Sequence, residues 1–403
     1  GHLAAGSPTS TTDSLSYNNA TLIMCTLYGG NDGLNTLIPY NDPAYQAGRP
    51  TLAYAPEEVI ALDSSFGLNP SLKGFKQLWD AGQLAIIRGV GYPSPSYSHF
   101  RSMDIWQSAV PDTDVSTGWL GRWLDATGSD PLRSVSIGTI LPMMLTGERS
   151  LGAVVPIGPM VLPGSPSMQK AFGTVNSPTQ SMAPVLADIA TSGNDMLRVQ
   201  KTVSTALSAS TNSPSSSNGS DPNPSSTSTT SNAAATTGKG SSSTGASNLA
   251  DQLSIVSKLI SAGIPAKVYG VSQASYDTHA NEKATQARLL AELDSSVTQF
   301  VQAMAQDPKG QHSVITIYSE FGRRVQSNAS GGTDHGSASV VFVAGPKVKG
   351  GYYGDQPSLT SLNDGNLVFT TDFRSVYATL LANIIGEDPK VSLGSGFPLI
   401  SFI

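Results

Sequence analysis

The chain has 403 residues and a formal net charge of -6, which excludes the basic footprint by which proteins bind nucleic acid or an anionic membrane surface. Its single cysteine, Cys25, excludes a disulfide within the chain, and no run of about 20 apolar residues is present to cross a bilayer. Charged residues make up only 13%, about half the usual share for a soluble domain, and Ser, Thr, Gly, Asn and Pro abound, so the chain reads as an exported protein, periplasmic or extracellular.

Gly1 to Ser16 reads as a disordered N-terminal tail, and residues 17–403 as one domain. The first strand is expected over Leu22 to Tyr28, where a buried, inert Cys25 sits in an apolar run. It ends in the turn-forming Gly29-Gly30-Asn31-Asp32-Gly33. A helix is predicted over Asn69 to Gly82, capped by Asn69 with Pro70 at its first position. A buried strand, Leu84 to Val90, then leaves through Tyr92 to Tyr97 into a helix that starts near Ser98. Another helix is predicted over Asp114 to Gly128, followed by a Pro/Gly/Met-rich stretch, Pro142 to Pro184, with no assigned elements. The segment at 204–247 is almost wholly Ser, Thr, Asn, Gly, Pro and Ala, too polar to offset its ordering entropy, and reads as a flexible insertion. It interrupts a helical pair, Ala183 to Leu207 and Asn248 to Ala262.

After it the pattern is regular: strand Ala266 to Val271, helix Glu282 to Ala305, strands Ser313 to Tyr318 and Ser339 to Ala344, and helix Asp372 to Ile385. Such alternation predicts an α/β three-layer sandwich around a largely parallel sheet. Ligands of open parallel sheets bind beyond the carboxyl ends of the strands. Asp32, Asp277, His279 and Glu320 all follow strands, so separate loops are expected to converge on one edge. Carboxylate oxygen and neutral imidazole are the ligand types that zinc and manganese accept. The alternative for each is a loop carboxylate that caps a helix or a histidine bonded within a turn. Tyr92, Tyr97, Trp106, Trp119 and Trp123 either line a sugar-binding cleft or pack in the core.

Five segments together are distinctive: Gly29-Gly30-Asn31-Asp32-Gly33-Leu34-Asn35, Ser98-His99-Phe100, Asp277-Thr278-His279, Ser319-Glu320-Phe321-Gly322-Arg323-Arg324 and Gly331-Gly332-Thr333-Asp334-His335-Gly336. They resemble the exported bacterial DUF1501 family, which looks like a divergent branch of the alkaline phosphatase and sulfatase superfamily. The resemblance implies an alkaline phosphatase-like fold, two divalent metal ions (zinc, manganese, calcium or magnesium) and hydrolysis of phosphate or sulfate esters on an anionic small molecule or a glycan. It implies metal ligation by Asp32, Asp277, His279, Glu320, Asp334 and His335, with Ser98 as the nucleophile. Arg323 joins the catalytic set as a planar fork for an anionic oxygen, while Asn31, His99 and Arg324 face the substrate. His99 is alternatively a ligand or a residue that steadies one. The sequence departs from the superfamily in the two-residue spacing of Asp277 and His279 and in a glutamate at position 320. The alternative reading is a non-catalytic, metal-containing surface or matrix-binding protein on the same fold.

Overall fold

The computed structural model describes residues 20–162, 164–209 and 248–403. Strand β1 (Thr21–Leu27) is followed by a small antiparallel sheet of β2 (Leu37–Ile38), β3 (Ile60–Ala61) and β4 (Gly67–Leu68), with helix α1 (Pro43–Gly48) in between. Next come α2 (Lys73–Asp80), β5 (Leu84–Gly91), α3 (His99–Ser108), α4 (Trp119–Thr127), β6 (Ser134–Ile137), β7 (Ala153–Val155), α5 (Pro166–Val175) and α6 (Pro184–Ala209). Beyond residue 247 follow α7 (Leu249–Ala262), β8 (Val268–Gln273), α8 (Glu282–Gln306) and β9 (Ser313–Ser319). The hairpin β10 (Arg323–Ser327) and β11 (Thr333–His335) leads to β12 (Ser339–Ala344), β13 (Gly351–Tyr353), β14 (Thr371–Asp372), α9 (Phe373–Leu380) and α10 (Pro389–Leu393).

Nine strands form the central sheet in the order β13-β5-β12-β9-β1-β8-β6-β7, with β14 paired to β5. The architecture is the expected α/β sandwich. Along β1, Ile23, Cys25 and Leu27 enter one core while Leu22 and Met24 enter the other, the period of two that a strand covered on both faces requires. The first core packs under α2, α7 and α8, the second under α3, α4 and α9. Every pairing in this sheet is parallel except those of β12, which is antiparallel to both β5 and β9. That reversal has a functional consequence. The carboxyl ends of β1, β5, β8 and β9 lie at one edge, and β12 brings its amino end there, carrying the preceding β11 with it.

Several boundaries differ from the sequence reading. The helix expected from Asn69 begins at Lys73, because the Asn69 amide is used on Asn35 O and Ser71 N. The helix expected from Asp114 begins at Trp119. Trp119 and Trp123 are core residues, which settles them as packing and not as cleft lining. The stretch after Pro142 holds β7 and α5. Helix α6 runs to Ala209, so the expected start of the insertion at 204 falls within a helix; positions 210–247 and the tail 1–16 lie outside the described residues. No helix among the described residues is long and apolar enough to cross a membrane.

Helix α2 has no side-chain cap of its own. Asp294 of α8 supplies one across the core, accepting from Gly74 N at 2.8 Å and Phe75 N at 2.7 Å. Asp294→Ala leaves these two buried amides unmatched and is expected to lower stability by about 1–3 kcal/mol, read by urea unfolding; an unchanged midpoint would contradict this role.

Candidate metal centre

One helix start, one loop and one strand end meet at the sheet edge. His99 is the first residue of α3, Asp277 and His279 follow β8, and His335 ends β11. His99, Asp277 and His335 each offer one ligand atom, and these atoms lie within 4.8 Å of one another. Asp277 Oδ2 is 3.4 Å from His99 Nε2, and its Oδ1 is 3.3 Å from His335 Nε2 and 3.1 Å from His279 Nε2. His279 and His335 face each other through their Nε2 atoms at 2.9 Å.

The opposite ring nitrogens anchor two imidazoles. His99 Nδ1 donates to Glu320 Oε1 at 2.8 Å, and His335 Nδ1 donates to the Tyr97 carbonyl at 2.7 Å. A carbonyl can only accept, so His335 Nδ1 carries a proton, and in the neutral form that its burial favours the ring presents a lone pair at Nε2. His279 Nδ1 lies 3.5 Å from Asp334 Oδ1. This is the backing that metal-ligating histidines characteristically have. His99 Nε2 is buried without a hydrogen-bond partner, and the 2.9 Å approach of two Nε2 atoms needs a proton or a cation to offset lone-pair repulsion. A tetrahedron with bonds of about 2.0 Å has edges of about 3.3 Å; Asp277 meets His99 and His335 at 3.4 and 3.3 Å through its two oxygens, and the three ligand atoms lie within 4.8 Å of one another. The donor set therefore fits a divalent ion.

Arg323 holds this arrangement together. Its fully buried guanidinium donates to the carbonyls of Gly30 (2.6 Å), Gly29, Tyr276 (3.1 Å) and Thr333 (2.9 Å), and to Asp277 Oδ1 at 2.8 Å. Burial raises the Asp277 carboxyl, but the Arg323 hydrogen bond and charge, with His99 and His279, outweigh it and carry the group down to about 2. His335 is lowered from its ordinary value by burial, with Arg323 and His99 acting in the same direction against the Tyr97 carbonyl and Asp277. Both shifts favour ligand forms, carboxylate and neutral imidazole. The chain reaches Arg323 through Gly29 and Gly30, both at positive φ, where a Cβ would collide with the Tyr276 and Asp277 backbone or with the Phe321 ring.

The other expected site residues surround these three or are bound within the protein. Asp32, read as a ligand, is fully buried and bound by both terminal nitrogens of Arg49. Arg323, read as a fork for substrate, has its guanidinium spent on the protein. Asn31, read as substrate-facing, is buried, bonding Thr36 through Nδ2 (2.9 Å) and Gln286 through Oδ1 (3.0 Å). Glu320 is a buried brace that accepts from His99, Gly29 N and Ser319 and is not among the convergent ligand atoms. Asp334 accepts from Asn328 and flanks His279. Ser98 is exposed at the start of α3 and makes no side-chain cap. Arg324 keeps a buried Nε without a partner.

Sequence reasoning missed Arg49 and the role of Glu282. Arg49 also donates to the carbonyls of Val325 and Arg324, joining the loop after β1 to β10, and no motif surrounds it. Burial, and then the neighbouring Asp32 carboxylate, push Glu282 up to about 9, against the hydrogen bond from Thr333 and the Arg49 charge. Asp32 stays ionised, held low by Arg49 against its burial.

A family model described as "Protein of unknown function (DUF1501)" matches residues 167–384. No curated protein matches the chain significantly. Among solved structures, a protein in the alkaline phosphatase superfamily from Vibrio parahaemolyticus is 9% identical, covering 94% of this chain and 70% of that chain at a TM-score of 0.41. The lipoteichoic acid synthase LtaP from Listeria monocytogenes is 9% identical, covering 96% of this chain and 75% of its own at 0.38. Ps i-CgsB in complex with k-i-k-neocarrahexaose is 11% identical, covering 94% and 74% at 0.39. These are distant likenesses of shape, without residue-level correspondence.

Two outcomes test the buried charges. Because folding raises the Glu282 value from 4.5 to about 9, the folded state binds the extra proton between these limits. Stability is therefore fully present below pH 4.5 and declines as pH rises toward 9. Thermal unfolding across that range is expected to show the decline in the wild type and a flatter profile in Glu282→Gln; identical profiles would contradict it. Asp32→Asn leaves the Arg49 cation buried and unpaired, and chemical unfolding is expected to show a loss of about 3–5 kcal/mol, whereas a loss under 1 kcal/mol would contradict the pair's role.

Proposed function

The chain belongs to the DUF1501 family, and from its candidate metal centre we propose that it is an exported metal-dependent hydrolase of phosphate or sulfate esters. The observation that carries this reading is the convergence of two imidazole Nε2 atoms on one carboxylate, with Nδ1 of His99 and His335 tied down from behind. His99, Asp277 and His335 would hold one divalent ion, and an imidazole-rich set favours zinc over manganese, calcium and magnesium. One ion replaces the two implied by motif resemblance, because Asp32 and Glu320 are engaged with protein partners. When bound, such an ion polarises an ester oxygen and lowers the pKa of a hydroxyl beside it.

The chain's own groups supply the remainder. Ser98, exposed and adjacent to His99, is the proposed nucleophile: its Oγ forms the bond to phosphorus or sulfur as the ester oxygen leaves. His279, half exposed with Asp334 beside its Nδ1, is the proposed donor of the proton that the leaving oxygen takes. The Ser98 hydroxyl proton passes to His279 as the leaving oxygen takes one from it; water then adds its hydroxyl to phosphorus or sulfur, its other proton passing through His279 back to Ser98 Oγ as that bond breaks. Arg324, whose charge also acts on Asp334, takes the part first assigned to Arg323 and holds an anionic oxygen of the substrate. The low charged fraction supports a periplasmic or extracellular setting, where the substrate is a small anionic ester or one borne on a glycan.

Protein loaded with zinc or manganese is expected to hydrolyse an aryl phosphate or an aryl sulfate. Ser98→Ala should lower kcat on the order of 10²-fold or more with metal content unchanged, and Arg324→Ala should act mainly on KM, by about tenfold. Metal binding with no turnover of either ester would overturn the hydrolase reading in favour of a metal-containing binding protein.

A further inference from the structure

Helix α5 buries none of its residues, although it is amphipathic. Met168, Phe172 and Val175 recur four and three residues apart and so form one stripe along it. On α6, Val185, Ile189 and Met196 form a second stripe by the same periodicity. The two helices lie side by side: Asn194 Nδ2 donates to the Asn176 carbonyl at 2.6 Å, and a Cβ at Gly173 would meet Leu197 at 3.1 Å. Met168, Phe172 and Met196 line a single hollow of about 320 Å³, so the stripes run together. With Leu186 and, just before α5, Val161, these side chains are 42–80% exposed. Half of the large apolar side chains exposed among the described residues thus lie in this one hairpin.

The surface that they expose is on the order of 800 Å², above the roughly 300–600 Å² of the largest apolar patch on a typical monomer and equal to one partner's share of a standard interface. Charge narrows what can cover it. From residue 150 to residue 187, Lys170 is the only charged side chain, so the face lacks the basic flank that holds an amphipathic helix on an anionic bilayer. Neither long segment outside the described residues matches it in composition: positions 210–247 contain no Leu, Ile, Val, Met, Phe, Tyr or Trp, and positions 1–19 contain only Leu3, Leu15 and Tyr17 of these types. Copies of a chain with net charge -6 repel one another, and a face nearly free of charge is where two of them can approach. We propose that the α5/α6 face is the contact between two copies of this chain. In a two-fold arrangement each stripe meets its own counterpart, and four helices close over one apolar seam. The methionines at that seam adapt their shape to fit it. This contact is independent of the hydrolase reading.

The test is sedimentation velocity of the full chain from about 1 to 100 μM, comparing wild type with Val175→Asp, Ile189→Asp and Leu399→Asp. Val175 and Ile189 are 76% and 59% exposed, so a monomer accommodates aspartate at either, whereas in the dimer each places a carboxylate in an apolar seam. Leu399 is the control: it is 53% exposed and adjoins Ile400 of the second core, across the sheet from α6. Unfolding midpoints confirm that all three variants fold. Wild type and Leu399→Asp are expected to sediment as dimers with a dissociation constant in the micromolar range or below, raised at least about 100-fold in Val175→Asp and in Ile189→Asp. A wild-type monomer across the whole range, or dimerisation unchanged in folded Val175→Asp and Ile189→Asp, overturns the proposal, and so does an equal loss in Leu399→Asp. A wild-type monomer that cosediments with phosphatidylcholine vesicles assigns the face to a bilayer and overturns it as well.

Discussion

The buried guanidinium of Arg323 is the interaction on which the candidate centre depends. Its Nε and Nη1 donate to the carbonyls of Gly30 and Thr333, and its Nη2 hydrogens are shared among the carbonyls of Gly29 and Tyr276 and the carboxylate of Asp277. Those carbonyls come from the loop after β1, the loop after β8 and the β11 strand, so one side chain ties together the backbone of three separate segments. A planar fork with fixed donor directions can do this, and a lysine ammonium cannot. The same group keeps Asp277 ionised beside three imidazoles. Burying a charge is costly unless it is paired and fully hydrogen-bonded, and the loop conformations, including positive φ at Gly29 and Gly30, follow from meeting that condition.

Around this hub the sheet does the positioning. Parallel strands β1, β8 and β9 end side by side, and the antiparallel β12 returns the chain so that β11 reaches the same edge. His99 enters from α3, and Glu320, at the end of β9, fixes its ring from behind. A second buried group, Asp32 with Arg49 and a protonated Glu282, fastens the loop after β1 to β10 and to the start of α8. Asp32, in the glycine-rich turn, is bound to Arg49, while Asp277, in the loop after β8, faces the centre. Such support behind ligands sets their geometry before any ion arrives.

Much of the fold was legible because its core strands follow a simple rule. A strand covered on both faces is a largely apolar run, and β1, β5, β9 and β12 read that way despite single polar positions such as Thr26, Arg88 and Thr316. The two-residue strands β2, β3 and β4 are shorter than any period and left no signal. At the centre, the segments Asp277-Thr278-His279 and Asp334-His335 stood out, and topology explains why their loops meet. What sequence could not give is direction. Asp32 and Arg323 have the residue type and the setting of functional groups, yet their side chains turn inward to partners that are remote in sequence or carry no motif, such as Arg49. His99 and Glu320 form one unit across 221 positions, a pairing that no local pattern encodes.

The central claim is that His99, Asp277 and His335 bind one divalent ion. The most direct measurement is metal content by inductively coupled plasma mass spectrometry on protein purified without chelator and reloaded with zinc, alongside a folded Asp277→Ala, His335→Ala double variant. About one equivalent of zinc or manganese in the wild type, and under a tenth in the variant, is the result this account predicts. No metal in the reloaded wild type, or equal content in both proteins, would contradict it.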